Sequence, residues 1–484
     1  MRQINSRDIY RATIWWPYLF LCFTAFLFGM LIVYGIFSLP HVLIFAVLTT
    51  IFIIRKLNFI LYFTLILMFI PLSLGNIFKI KINMAAEPLI FISFMAILFH
   101  YISSGRKSYV FSSSKNPFLV PIILYIIVLL INYIRYPLPP SSLSGISEEL
   151  GGIRFYYDKI IMFIFFMSIA YRSEVDVSFI KKVFGIVVLM TSIANIIGIL
   201  LYVYPNFDNI FTSLYNNRIF SNSFFNGSLG RSIDPLTDAV RINVFWGTAI
   251  GFFILISNVI KPKHIIKIIL LSLYAVGILL SATRSFFFGI IIALIIWAFL
   301  SKNKKLMYIF IVVALLGLIV QTVSSFSPQI NRLFYFPSDI DKLTTSRIDL
   351  FNIYWNDFRK NMLFGVGVGA TEIPKAASAQ VYFFLINLRF GGHGFFLGSL
   401  YTMGIIGLLP FLMLYYKAIR VSYKLYKRPS AEFDKLTGML CIMFIGYSLI
   451  PFIVGGIETY NQFFLLIGII AGLYMKLQRD NATI

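Results

Sequence analysis

Cysteine is almost missing from this chain. Its 484 residues include two, Cys22 and Cys441, both inside apolar runs, so they read as buried packing residues and not as a disulfide or a metal pair. Charge is scarce as well, at 12% of residues, and acid is scarcer than base, with 19 Asp and Glu against 41 Lys and Arg. Histidine occurs four times. This shortage of charge, beside a hydrophobic content of 59% and a positive mean hydropathy, excludes a water-soluble globular class. The short alternating segments of a membrane barrel are lacking too. Repeated apolar runs of about 18 to 22 residues instead match helices that cross a bilayer. The fold class read from this is an all-α polytopic membrane protein.

The spans are expected near residues 14–36, 38–54, 57–75, 84–102, 117–134, 156–171, 183–203, 242–260, 264–282, 285–301, 306–325, 395–416, 437–455 and 457–475, about fourteen transmembrane helices in all. The amino-terminal MRQINSRDIYR resembles a signal-peptide n-region, yet the run behind it is long enough to span and lacks a small-residue cleavage pattern, so it reads as an uncleaved first span. With the N-terminus inside, every short basic loop falls on the cytoplasmic side. These are Arg55-Lys56, Arg106-Lys107, Lys181-Lys182, Lys261/Lys263/Lys267, Lys302/Lys304/Lys305, the Lys417–Arg428 cluster and Lys476/Arg479. The net charge of +22 is thereby explained by topology. Its carriers are dispersed among short loops, which argues against a nucleic-acid partner. Both termini are expected to be cytoplasmic, and Lys417–Arg428 also reads as a contact for anionic membrane lipids.

Three polar segments then face outward, 136–154, 204–241 and 326–393. The last divides the chain into a bundle of about eleven helices (1–325), a large outward loop with short helices (326–394) and about three closing helices (395–484). Arginines gather on this outer side against the topological bias: Arg135, Arg154, Arg218, Arg231, Arg241, Arg284, Arg332, Arg347, Arg359 and Arg389. A guanidinium binds phosphate or carboxylate at two points and keeps its charge near a membrane, so a multiply charged anionic ligand is implied. Arg284, in SATRS between two apolar runs, is the sharpest of them, because a charge at that depth costs about 3 kcal/mol unless paired or hydrated. The alternative is a turn residue snorkelling to the headgroups.

His393 stands in GGHGFF, where the flanking glycines leave its imidazole accessible. It is the histidine placed for outward chemistry, as a general base near neutral pH or as the cap of a helix start. GVGVG at 365–369 lacks the Lys-Ser/Thr of a phosphate-binding loop and reads as a flexible turn. Residues 376–390 could form an interfacial or re-entrant helix. Asp158 and Glu87 read mainly as charge partners of nearby basic groups, and Glu458 in GGIETYNQFF is expected to belong to the outer cavity. No spacing of carboxylates or histidines marks a metal site, so neither a metal nor a cofactor is expected.

These features resemble the O-antigen polymerase and O-antigen ligase superfamily of bacterial surface-polysaccharide enzymes. TTSRIDLFNIYWNDFRKNMLFGVGVG (344–369) and GGHGFFLGSLYTMGIIGLLPF (391–411) are similar to its Ser-Arg, tryptophan and Gly-x-Gly sequence and to its His-containing start of the next span. SATRS is similar to its Ser-Arg or Thr-Arg turn, and Arg241 in AVRINVFWG to an upstream arginine. His393 is followed by Gly394, where the family more often has Asn. The resemblance implies a C-type glycosyltransferase-like fold in the bacterial inner membrane, with its active site on the periplasmic side. The implied substrate is an undecaprenyl-diphosphate-type, polyprenyl-diphosphate-linked oligosaccharide, and the process is lipopolysaccharide biosynthesis.

On that reading Arg284 and Arg347 hold the diphosphate, with Arg241, Arg218 and Arg389 as further substrate-binding candidates. His393 activates the acceptor hydroxyl, and Arg284 counts with it as catalytic. A separate chain-length regulator is an implied partner. The resemblance leads to an O-antigen polymerase. An O-antigen ligase and a polysaccharide flippase or other transporter stay open beside it, although no repeat between the halves supports the transporter.

Overall fold

The computed structural model describes residues 57–69, single positions within 90–101, 108–135, 148–203, 238–280, 284–301, 355, 358–367, 395–428, 431–454 and 460–482, with some helix-end side chains left out. Among these residues every regular element is helical. We label the helices α1 (Leu57–Phe69), α2 (Leu119–Arg135), α3 (Glu148–Val175), α4 (Val177–Val203), α5 (Asp238–Ser257), α6 (His264–Leu280), α7 (Arg284–Ser301), α8 (Phe395–Tyr426), α9 (Glu432–Val454) and α10 (Tyr460–Ala482). Each falls on an expected span. The expected spans 14–36, 38–54 and 306–325 lie outside the described residues, as does most of 84–102, so the expectation of about fourteen helices is carried by ten.

Local sequence explains several boundaries. Asp176 sits between α3 and α4, and its Oδ1 accepts from the Ser178 amide at 2.9 Å, the Ser178 hydroxyl at 2.8 Å and the Phe179 amide at 3.3 Å. These are first-turn donors of α4 that the helix cannot satisfy itself. Asn116 does the same ahead of α2, accepting from the Phe118 amide at 3.0 Å. Asn258, with φ of 60°, ends α5 in the left-handed conformation that Asn tolerates.

Most of the helices pack around a large core that includes Phe165, Phe166, Phe184, Phe253, Phe444 and Phe463, and Val128, Leu129 and Met403 form a second, smaller one between α2 and α8. Helix α10 lies along α3, α9 is flanked by α7 and α8, and α4 packs against α5, α6 and α1. The α3–α10 approach depends on Gly468 and Gly472. A Cβ at Gly472 would stand 2.4 Å from that of Ser173 and 2.6 Å from the Ala170 carbonyl oxygen. Small residues four apart let helix backbones come together where lipid supplies no hydrophobic drive. Cys441 is a free thiol buried in this core, as packing predicted.

Ser399–Tyr426 and Glu432–Ile450 are long and apolar enough to cross a membrane, and the apolar parts of α2, α5, α6 and α7 are shorter. The outer surfaces of α2 and α6 are apolar as well: Ile134 is 77% and Ile265 72% exposed. A soluble monomer rarely shows such continuous patches.

Among the described residues, the basic loops around Lys181, Lys261 and Arg428 share one end of the bundle. Lys261 Nζ lies 3.0 Å from Glu432 Oε1, Lys181 stands over the Phe433 ring, and Arg428 pairs with Asp434 at 2.6 Å. Lys424 donates to the Tyr474 hydroxyl at 3.1 Å, and the Tyr426 hydroxyl donates to the Leu300 carbonyl at 2.7 Å. Nearby, Arg479 faces the fully buried Glu174 at 3.5 Å. The same carboxylate accepts from the Ser108 hydroxyl at 2.7 Å and the Tyr109 amide at 3.3 Å. Burial pushes the Glu174 carboxyl above its ordinary value, against those two hydrogen bonds and Arg479. Glu174 thus ties the 108–116 turn and α10 to the end of α3.

Candidate active site

The opposite end of the bundle holds the two candidates that lie among the described residues, Arg241 and Arg284. Helices α5 and α7 both finish near the α8–α9 junction, α5 through Lys261 and Glu432 and α7 through Leu300 and Tyr426. Their first turns therefore lie about 25–30 Å away at the far end. Arg241 is the fourth residue of α5 and Arg284 is the first residue of α7, and the two helices touch. Both arginines stand where a helix end already carries partial positive charge, and the first turn of α7 has no acid to offset it. Helix α5 opens on Asp238, three residues before Arg241, so the start of α7 at Arg284 is the one that an outside anion would relieve most. Arg218, Arg347, Arg389 and His393 lie outside the described residues, as do Glu87, Glu458 and residues 376–390.

Helix α2 begins beside the Glu174 end and delivers its last turn, with Asn132 and Arg135, to this same far end. Here the structure adds to the expectation for GVGVG. Residues 361–367 form a turn, with Gly365 and Gly367 at positive φ, and this turn is an insert wedged into a break in α8, whereas 368–369 lie outside the described residues. At Gly404 the backbone turns to φ 67°, ψ −167°, and the helix divides into 395–403 and 405–426. In a continuous helix the amides of Ile405 and Ile406 would donate to the carbonyls of Tyr401 and Thr402. They donate instead to Met362 O at 3.0 Å and Leu363 O at 3.1 Å. The carbonyls released on the other side are taken up by the Val366 amide at 2.9 Å and the Gly367 amide at 3.0 Å. Two helical bonds are replaced by four, which is how irregular backbone persists at membrane depth.

Glycine is required on both partners. Gly365 has φ of 70°, and a Cβ there would stand 2.5 Å from Tyr401 O. A Cβ on Gly404 would stand 2.3 Å from Leu363 O. Asn132 completes the joint. Its side-chain amide donates to Phe364 O at 3.1 Å and to Thr402 O at 3.0 Å, one acceptor on each side of the junction. Arg135 places its guanidinium 4.6 Å from the centre of the Phe364 ring, a cation–π contact. That gives this outward arginine a contact with the insert itself.

Neither Asn132 nor Gly404 stood out in the sequence. Asn132 is the one amide in LVPIILYIIVLLINYIR, and the cost of burying such a group without partners was the available signal. Gly404 was hidden because glycine is frequent in membrane helices.

Residues 269–412 match the family model described as O-antigen ligase. The matched segment contains Arg284, Arg347, Arg389, His393, the 361–367 insert and the break at Gly404, whereas Arg218 and Arg241 precede it. No curated protein matches the chain. The match supports a membrane-integral protein with an O-antigen ligase- or polymerase-type role in surface-polysaccharide assembly. Over residues 269–412, then, the chain is similar to the O-antigen ligase family.

Proposed function

We propose that the protein is an O-antigen polymerase, a metal-independent glycosyltransferase that moves a growing glycan from its polyprenyl-diphosphate carrier onto a lipid-linked repeat unit at the periplasmic face. The observation that carries this reading is the pair of arginine-bearing helix starts, Arg241 and Arg284, at the end of the bundle away from the basic loops. A diphosphate brought there gains charge-assisted hydrogen bonds and two helix ends of suitable sign.

The chemistry needs a base and a stabilised leaving group. The acceptor hydroxyl gives its proton to His393 as its oxygen attacks the anomeric carbon of the donor. The bond from that carbon to the diphosphate breaks, and the polyprenyl diphosphate departs with the electron pair. Arg284 and Arg347 stabilise the charge developing on the leaving oxygen, with Arg241, Arg218 and Arg389 as further ligands of diphosphate or glycan. The ligase is the second reading, favoured by the description of the matching family model. In it the same donor would transfer a finished glycan to lipid A core.

One genetic experiment separates them. In a strain lacking the protein, the lipopolysaccharide ladder is expected to collapse to core carrying a single repeat, and complementation to restore the full ladder. A bare core without any repeat would overturn the polymerase reading in favour of the ligase or a flippase. In the same strain, Arg284→Ala at wild-type abundance is expected to lower transfer by about 10- to 100-fold, the loss of a hydrogen bond to a charged group worth about 1.5–3 kcal/mol. Arg284→Lys should restore little, because two-point geometry is lost.

A further inference from the structure

We infer that the insert at Gly404 is a positioning joint for the transfer site, with Asn132 as its positioning residue. This rests on the transferase reading above. The first half of α8, 395–403, follows His393 in the chain, and the 361–367 insert follows the Arg347 segment. Both candidate groups therefore connect through short stretches of chain to one junction. Its geometry is over-determined by the four exchanged backbone bonds and two opposed positive-φ glycines.

Sharp interruptions of a helix have identifiable causes, and this one is a backbone exchange with a second segment. The alternative state is equally specific. If the insert leaves, Ile405 and Ile406 can resume donation to Tyr401 and Thr402, α8 straightens, and the half-helix 395–403 swings relative to 405–426. The two packings differ in which carbonyl each amide faces, and each leaves the amides and carbonyls of the break paired.

Asn132 biases that choice. Its amide donates to an acceptor on the insert and to one on the half-helix, so it is bridged in the broken state. Straightening would leave the amide short of the Phe364 acceptor in an otherwise apolar stretch of α2, where an unsatisfied polar group is costly. The two acceptors that Asn132 bridges both belong to the joint, so it acts through the joint.

The test uses the full-length protein in lipid nanodiscs, comparing wild type, Asn132→Ala and Gly404→Ala. Hydrogen exchange is followed over peptides covering 361–367 and 401–406. Transfer is measured at varied concentrations of lipid-linked donor, per folded molecule. Asn132→Ala is expected to speed exchange of the Val366 and Gly367 amides and to lower kcat by about tenfold or more with KM for the donor within about twofold, the pattern of lost positioning rather than lost binding. Gly404→Ala is expected to release the insert while strengthening protection of Ile405 and Ile406 as α8 straightens.

A wild-type kcat in Asn132→Ala, with exchange at 361–367 accelerated, would overturn the positioning role. Unchanged exchange in both variants would overturn the joint itself. A merely structural contribution would lower folded yield and leave kcat per folded molecule intact. If the wild type itself transfers nothing, the transferase reading fails, and the exchange data still decide whether the joint exists.

Discussion

Asp176 carries three hydrogen bonds at the start of α4 and an ion pair with Arg172 at 3.5 Å. Burial pulls its carboxyl upward, but the hydrogen bonds from Ser178 and Phe179 and the Arg172 charge outweigh this and hold it below the usual aspartate value. For a depressed carboxyl the added stability is complete above the ordinary value of about 3.9 and is lost as pH falls through the lower folded value. Asp176→Ala is expected to cost about 1 kcal/mol at neutral pH, read as a lower thermal midpoint of the detergent-solubilised protein. Asp176→Asn should keep much of the cap while removing part of the acid sensitivity. Equal midpoints for wild type and Asp176→Ala across the pH range would remove the cap from the account. At this scale the sequence draws the eye to charged residues, Arg284 and Arg241 among them. It was silent on Asn132, whose partners are two carbonyls more than 200 residues away in the chain, because backbone acceptors leave no mark in the sequence.

Helices α4, α5 and α6 are held together by polar contacts inside an apolar trio. The Tyr274 hydroxyl donates to Val188 O at 2.8 Å and lies 2.9 Å from both the Thr191 and Ser192 hydroxyls. Asn195 donates to Thr191 O at 2.8 Å and to the Thr248 hydroxyl at 2.7 Å. Such bonds within a membrane bundle are individually modest, so Tyr274→Phe is expected to cost roughly 0.6–1.7 kcal/mol. Thermal unfolding in detergent measures it, and an unshifted midpoint would mean that the unfolded chain recovers equivalent partners. All ten described helices were visible as hydropathic runs, yet their ends were not. Helix α8 runs to Tyr426, ten residues past the expected end of its span, because its backbone bonding continues through Lys417, Arg420 and Lys424 after hydropathy has fallen. The break in the same helix stayed hidden for the converse reason. Hydropathy is blind to which carbonyl an amide chooses, and the flanking GIIGLL reads as an uninterrupted apolar run.

Among the described residues, the basic loops gather at one end of the whole molecule, as the sequence led one to expect for those loops. Loops far apart in the chain, around Lys181, Lys261, Arg428 and Arg479, converge on one end through contacts with α9 and α10. The 361–367 insert and the starts of α5 and α7 occupy the other. If the basic end is cytoplasmic, as the retention of Lys and Arg on the inner side of bacterial membranes requires, the arginine-bearing end faces the periplasm. The consequence can be tested with single cysteines in a background lacking Cys22 and Cys441. Lys360→Cys stands on an exposed position just ahead of the insert and should react with a membrane-impermeant thiol reagent in cells with a permeabilised outer membrane. Lys263→Cys, at the turn into α6, and Lys427→Cys, just beyond α8, should react only after the inner membrane is opened. The reverse pattern would put Arg284 and Arg241 in the cytoplasm, away from any periplasmic lipid-linked glycan. The proposed transfer reaction would then lose its site, even though the helices and the joint at Gly404 would stand unchanged.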